Sequence, residues 1–128
     1  MRLLLDTHAF LWWIEGGERL SSKAARAIAD PANACLLSLA SAWEMAIKVS
    51  LGKLELPGSP ARFLADQLAA NNVQVLGLEL RHVTGVTELP FHHHDPFDRL
   101  LAAQCLAERL PIVSADPVFR RYGVRRVW

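Results

Sequence analysis

The sequence is poor in cysteine and tyrosine, has no long apolar run, and carries almost no net charge: two Cys, one Tyr, and 14 Lys plus Arg against 13 Asp plus Glu in 128 residues. Each shortage excludes something. Cys35 and Cys105 sit in apolar surroundings without metal-ligand spacing, so they read as small buried residues rather than a disulfide framework or a zinc site. Apolar stretches stop at a charge or a proline far short of the roughly 20 residues a bilayer requires, so no membrane association is expected. Met1-Arg2-Leu3-Leu4-Leu5 opens like a signal peptide, but Asp6, His8 and Glu15 interrupt the apolar segment, and a cytoplasmic protein is expected. A formal charge of +1 excludes a histone-like binder, so any contact with nucleic acid has to come from local patches.

Hydrophobic residues make up 52% and charged ones 21%, below the charged share of about 25% usual for a globular domain. This balance fits a sheet covered on both faces, or a subunit interface. The length suits one domain over residues 1–128, large enough to bury roughly two-thirds of its unfolded surface. Pro and Gly mark the ends of periodic segments.

Arg2 to Leu5 predicts a buried strand, followed by a helical turn or two over Ala9 to Ile14. Ser21-Ser22 caps a helix to about Ala29, stopped by Asp30-Pro31. Ala34 to Leu37 predicts a second strand, with a helix after it to about Leu51. Ser59-Pro60 opens a helix to Ala70, Val73 to Leu76 is a third strand, and a short helix covers roughly Glu79 to Thr87. Asp95-Pro96 opens a helix to about Arg109, Ile112 to Ser114 is a fourth strand, Asp116-Pro117 precedes a short helix, and Val124 to Val127 is a last strand. Strands alternating with helices predict an α/β protein, a three-layer α/β/α sandwich around a mostly parallel sheet.

Such sheets hold ligands just past the carboxyl ends of their strands. Asp6 follows strand one, Asp116 follows strand four, Glu44 lies in the helix after strand two, and Asp98 lies in the first turn of the helix before strand four. Plainer roles exist for three of them. Asp95 and Asp116 suit N-caps and Asp98 suits the helix dipole, while Ser41-Ala42-Trp43-Glu44 has the spacing of a capping box. If Ser38 caps that helix instead, Glu44 lies inside it on a largely apolar face and needs another task. Asp6 has no obvious cap role. Carboxylates sharing a small space repel one another, so such a cluster usually exists to bind a cation, and an oxygen-only set favours Mg²⁺ or Mn²⁺ over Zn²⁺.

The segments Leu3-Leu4-Leu5-Asp6-Thr7-His8, Ser38-Leu39-Ala40-Ser41-Ala42-Trp43-Glu44, Asp95-Pro96-Phe97-Asp98-Arg99-Leu100-Leu101-Ala102-Ala103-Gln104 and Ser114-Ala115-Asp116-Pro117 resemble PIN-domain proteins of the VapC toxin type, in order and over nearly the whole chain. The resemblance implies a PIN-like fold and a metal-dependent ribonuclease, the toxin of a type II toxin–antitoxin pair, inhibited by a cognate antitoxin. It implies Asp6, Glu44 and Asp98 as core Mg²⁺ or Mn²⁺ ligands, Asp116 as a fourth acid, and Thr7, Ser114 and Asp95 in support.

His92-His93-His94 invites a zinc reading, but adjacent side chains in an extended segment diverge, and His93 is kept as a candidate for RNA contact. Arg120, Arg121, Arg125 and Arg126 fall in an acid-free tail, and Arg99 follows a proposed ligand. Arg99, Arg120 and Arg121 are therefore candidates for drawing phosphates towards an acidic centre. Trp12 and Trp13 are adjacent on a short helix and point apart, so one is expected to face a partner, either a second toxin subunit in a homodimer or an antitoxin helix.

Two other enzyme classes fit less well. A haloacid-dehalogenase phosphatase needs a second Asp two residues after the first, where this chain has His8, and a receiver domain needs a later Lys, whereas no Lys follows Lys53. The remaining rival is a non-catalytic RNA- or protein-binding module whose acids are helix caps.

Overall fold

The computed structural model describes residues 1–128, and its centre is a five-stranded, wholly parallel sheet of order β3-β2-β1-β4-β5. The strands are β1 (Arg2–Leu5), β2 (Ala34–Ser38), β3 (Val73–Leu76), β4 (Ile112–Val113) and β5 (Arg126–Val127). Helices α1 (Thr7–Ile14) and α2 (Ser22–Ala29) cross from β1 to β2, and α3 (Leu39–Ser50) and α4 (Pro60–Ala70) cross from β2 to β3. Helix α5 (Leu80–Gly85), a 3₁₀ turn (Val86–Glu88) and α6 (Pro96–Glu108) lead to β4, and α7 (Val118–Arg121) leads to β5.

Side chains alternate across a strand, so an unbroken apolar run must feed two cores. Leu4, Leu36 and Ile112 pack on one face with Leu101, Ala102, Cys105, Phe119 and Tyr122. Leu3, Leu5, Leu37 and Val113 pack on the other with Phe10, Ala24 and Met45. This is the predicted three-layer α/β/α sandwich, and Cys35 and Cys105, both buried and unpaired, lie in opposite cores.

Most helices begin where the sequence places a cap. Ser21 Oγ accepts from the Ala24 amide at 3.0 Å, Ser59 Oγ from Arg62 at 3.2 Å, and Asp95 Oδ1 from Phe97 at 2.8 Å. The outer strands are shorter than expected. Ser114 lies beyond β4, and β5 spans Arg126–Val127 within the longer Val124 to Val127 segment. The region after β3 is a short α-helix running into a 3₁₀ turn rather than one helix.

The chain lays β2 and β3 on one side of β1 and then returns to place β4 and β5 on the other. The order therefore reverses between β1 and β4. Adjoining loops at such a switch point part and open a crevice past the carboxyl ends of the strands. Asp6 and Ser114, the residues directly after β1 and β4, stand at its edges.

Candidate active site

A polar cavity of about 140 Å³ occupies that crevice, lined by Asp6, Thr7, His8, Glu44, Lys48, Asp95, Asp98 and Asp116, with no apolar residue in its wall. All four acids singled out in the sequence meet there, from four separate segments.

Asp6 is the N-cap of α1, its Oδ1 accepting the Ala9 amide at 2.7 Å. The expectation that it lacks a cap role is thus corrected: α1 starts at Thr7, directly after the strand, rather than at Ala9. The residue is 8% exposed, and burial is the main force raising its carboxyl above the ordinary range, opposed by the Ser114 hydroxyl and the Ala9 amide.

Ser38, not Ser41, caps α3, its Oγ accepting from the Ala40 amide at 3.0 Å. Glu44 consequently lies well inside the helix, while the buried Ser41 hydroxyl has no partner. Glu44 is 7% exposed and both its oxygens are engaged: Thr7 Oγ1 donates to Oε1 at 2.8 Å, and Lys48 Nζ lies 2.8 Å from Oε2. Thr7 thereby ties α1 to α3 and sets the tilt of the carboxylate. Lys48 was missed in the sequence, although its i,i+4 position after Glu44 is the helical signal for such a pair.

Asp98 caps nothing. Its carboxyl is pushed up to about 7, first by burial and then by the Asp95 carboxylate, with Asp6 and Glu44 adding repulsion against the opposing pull of His93. Asp116 Oδ1 accepts the Val118 amide at 2.9 Å, and the Asp116 amide donates to Ser114 Oγ at 3.0 Å. Ser114 is fully buried and lies against Asp6 as well, so one hydroxyl links the two acids.

The three histidines diverge. His92 sits against the Tyr122 ring, His94 against Phe91, and His93 turns into the site, its Nε2 lying 3.5 Å from Asp98 Oδ2 and 3.7 Å from Asp116 Oδ2. The Asp95 amide donates to His93 Nδ1 at 2.9 Å, so the proton of the neutral ring is on Nε2. His93 therefore presents an N–H to the carboxylates rather than a lone pair to a metal.

Arg99 is not available as a phosphate contact. It is 8% exposed, donates to the carbonyls of Pro90, Val86 and Leu89 and to the Tyr122 hydroxyl, and stacks 4.2 Å over the Phe91 ring. Its position next to Asp98 misleads because successive helical residues point about 100° apart. Arg120 and Arg121 are exposed on α7, while Arg126 binds the carbonyls of Ser114 and Ala115 and braces the segment that carries Asp116.

Trp12 and Trp13 are both half-buried, the first between His8 and Trp128 and the second donating from Nε1 to Asn71 Oδ1 at 3.2 Å. The uncovered tryptophan is Trp43, 58% exposed and edge-on to Phe97 beside the cavity.

The donor set fits a hard divalent cation. Its five carboxylates and the Thr7 hydroxyl outnumber the single His8 ring, burial with added repulsion from neighbouring carboxylates raises Asp6 and Asp98, and Asp6, Glu44, Asp98 and Asp116 would hold the ion.

Comparison with solved structures supports this architecture. A chain of the crystal structure of VapBC2 from Rickettsia felis, bound to a DNA fragment from its promoter, superposes with a TM-score of 0.72 at 16% identity, covering 98% of this chain and 97% of that one. A chain of FitAcB from Neisseria gonorrhoeae gives a TM-score of 0.62 at 17% identity, covering 98% and 96%, and one from a toxin-antitoxin complex of Klebsiella pneumoniae gives 0.55 at 15%, covering 89% and 86%. At these identities the likeness is one of fold. A search of curated proteins found no match. The sequence matches the PIN domain over residues 3–125, which places this chain in the PIN domain family.

Proposed function

We propose that this protein is a metal-dependent ribonuclease that hydrolyses internal phosphodiesters of RNA, and that it acts as the toxin of a type II toxin–antitoxin pair. One observation carries the reading: Asp6, Glu44, Asp98 and Asp116 line a single cavity at the switch point of the sheet. A Mg²⁺ or Mn²⁺ ion held there would lower the pKa of an attacking water and stabilise the leaving oxygen.

The chain's own groups do the rest. Thr7 fixes Glu44, Ser114 ties Asp6 to Asp116, and the Asp95 amide orients His93 so that its N–H faces the centre of the site, where a phosphate oxygen would accept it. Arg120 and Arg121 supply positive charge on the helix that follows Asp116. No helix is long and apolar enough to cross a membrane, consistent with action in the cytoplasm, where RNA is found.

An antitoxin partner is supported by three of the solved chains of similar fold, which come from VapBC2, from FitAcB and from a toxin-antitoxin complex. The exposed face of α3, with Leu39 47% and Trp43 58% uncovered, suits a second copy in a homodimer. The rival binding module draws support from Asp6, Asp95 and Asp116, all of which bond helix-start amides. It leaves Glu44, inside α3, without a capping role, and gives Asp98 only the favourable dipole of the first turn of α6.

Cleavage of a labelled RNA pool by antitoxin-free protein, with Mg²⁺, Mn²⁺ or chelator, tests the proposal when an identically purified Asp98→Asn variant is run alongside. Metal-dependent cleavage absent from the variant is expected. Equal behaviour of the two proteins on every RNA class would overturn it.

A further inference from the structure

Lys48 is the one lysine or arginine in a cavity wall that also carries five carboxylates, Asp6, Glu44, Asp95, Asp98 and Asp116. Its ammonium lies 2.8 Å from Glu44 Oε2, while Glu44 Oε1 is held by the Thr7 hydroxyl at 2.8 Å. Glu44 is thus the acid of this group that is paired with a lysine of the chain itself. The two ends of the pair differ in setting: the Glu44 side chain is 9% exposed and that of Lys48 is 37% exposed. The cation therefore sits at the mouth of the cavity, where an anionic substrate enters, and the carboxylate sits at its floor.

Glu44 precedes Lys48 by four residues on α3, the favourable orientation for a helical ion pair, and a whole-turn spacing keeps both groups on the cavity side. A compact ammonium on a flexible four-carbon stem can hold a carboxylate and reach a phosphate oxygen without moving its backbone. Nucleases that cut phosphodiesters with two ions use the pair to clamp the attacking and leaving oxygens. Here a protein cation already lies against Glu44 Oε2 and offsets charge that a second ion would otherwise offset.

We propose that Lys48 takes the place of a second divalent ion: it neutralises Glu44 Oε2 and contacts a non-bridging oxygen of the RNA phosphodiester, so that the site takes one metal ion per chain. This rests on the ribonuclease reading for the phosphate contact, whereas the ion count is independent of it.

The test measures Mn²⁺ bound per chain by equilibrium dialysis in the wild type, Lys48→Ala and Lys48→Arg, each checked for folding by its melting temperature. It is joined to kcat and KM on the RNA pool. The wild type and Lys48→Arg should bind one ion, and Lys48→Ala should bind two. With Lys48→Ala, KM for RNA should rise about tenfold, the loss of one charge-assisted contact, and Lys48→Arg should recover most of it. Two ions in the wild type, or one ion with an unchanged KM in Lys48→Ala, would overturn the proposal. If the wild type binds Mn²⁺ but cuts no RNA, the ribonuclease reading fails alone. The change from one ion to two in Lys48→Ala then still supports the role of Lys48, and an unchanged count refutes it.

Discussion

Two clusters in this molecule are built from the same parts and come out opposite. In one, His82 faces Glu79 and Glu108; in the other, His93 faces Asp98 and Asp116; and in both the three ligand atoms lie within 4.8 Å of one another. In both, a nearby backbone amide donates to Nδ1, Glu79 to His82 at 3.0 Å and Asp95 to His93 at 2.9 Å, so Nε2 carries the proton of the neutral ring. The difference lies in what surrounds them.

His82 is fully buried, its Nε2 lies 3.1 Å from Glu108 Oε1, and Arg81 Nη2 reaches Glu108 at 2.6 Å and Glu79 at 3.3 Å. The arginine holds the Glu79 carboxyl below its ordinary range. Gln104 extends the network inward, donating to the Gly77 carbonyl and accepting from Ser38, the cap of α3. This cluster shares one arginine and one buried histidine between two carboxylates, a strut between α5 and α6. The His93 cluster opens on a cavity with five carboxylates and one lysine, and its Asp98 is forced up to about 7. The excess of negative charge, not the identity of the residues, marks the second cluster as the place for a cation.

Substitutions that exchange the two behaviours sharpen this contrast. The largest effect is expected from Asp98→Asn, which should reduce metal-dependent RNA cleavage by more than about 100-fold, since even groups that only orient a metal ligand are worth about 10–100-fold. Its melting temperature should stay level or rise, because the variant relieves repulsion.

His82→Ala should behave the other way. Glu108 and Gln104 lose a buried partner, and the fold should weaken by about 2–3 kcal/mol in denaturant titration, while the folded fraction keeps its cleavage rate. Arg99→Ala should cost about 2 kcal/mol by orphaning carbonyls that it now satisfies, with RNA affinity of the folded protein unchanged. A selective loss of RNA affinity in that variant would restore Arg99 as a phosphate contact.

A slope of stability with pH is also expected in the metal-free protein. Asp98 ionises near 3.8 when unfolded and near 7 when folded, so the folded state holds its proton more tightly. This group's contribution is therefore most favourable below pH 4, declines as pH rises to about 7, and is level above that, and Asp6 acts in the same direction. Asp98→Asn should flatten the slope in a series of thermal melts, and Mn²⁺ at pH 7.5 should recover the lost stability in the wild type. A metal-free melting curve that does not fall over this range would contradict the account of Asp98.

Much of this was readable from the residues. Alternating apolar runs with caps at Ser21, Ser59 and Asp95 specified the sandwich, because each cap satisfies local amides that no distant contact alters. The convergence of the acids was suggested by Asp6 and Asp116, just past β1 and β4, with Glu44 on the helix after β2 and Asp98 at the start of the helix before β4. What escaped depended on facts that spacing does not carry. Asp6 is a cap because α1 starts without a linker, and Arg99 turns inward because Pro90, Val86 and Leu89 offer carbonyls from a segment about ten residues away. Trp12 and Trp13 are half-buried through Trp128, at the far end of the chain, and Asn71, at the end of α4 on the same face of the sheet, which left Trp43 as the uncovered ring.

The most direct test of the central claim, that the carboxylate cavity at the β1–β4 switch point holds a divalent cation, is a Mn²⁺ binding isotherm. It is recorded on metal-free protein, on Asp98→Asn, and on His82→Ala as the control from the α5–α6 strut. Saturable binding in the wild type and His82→Ala, weakened at least about tenfold in Asp98→Asn, is the predicted result. Binding that survives Asp98→Asn but disappears in His82→Ala, or no saturable binding in any of the three, would contradict it.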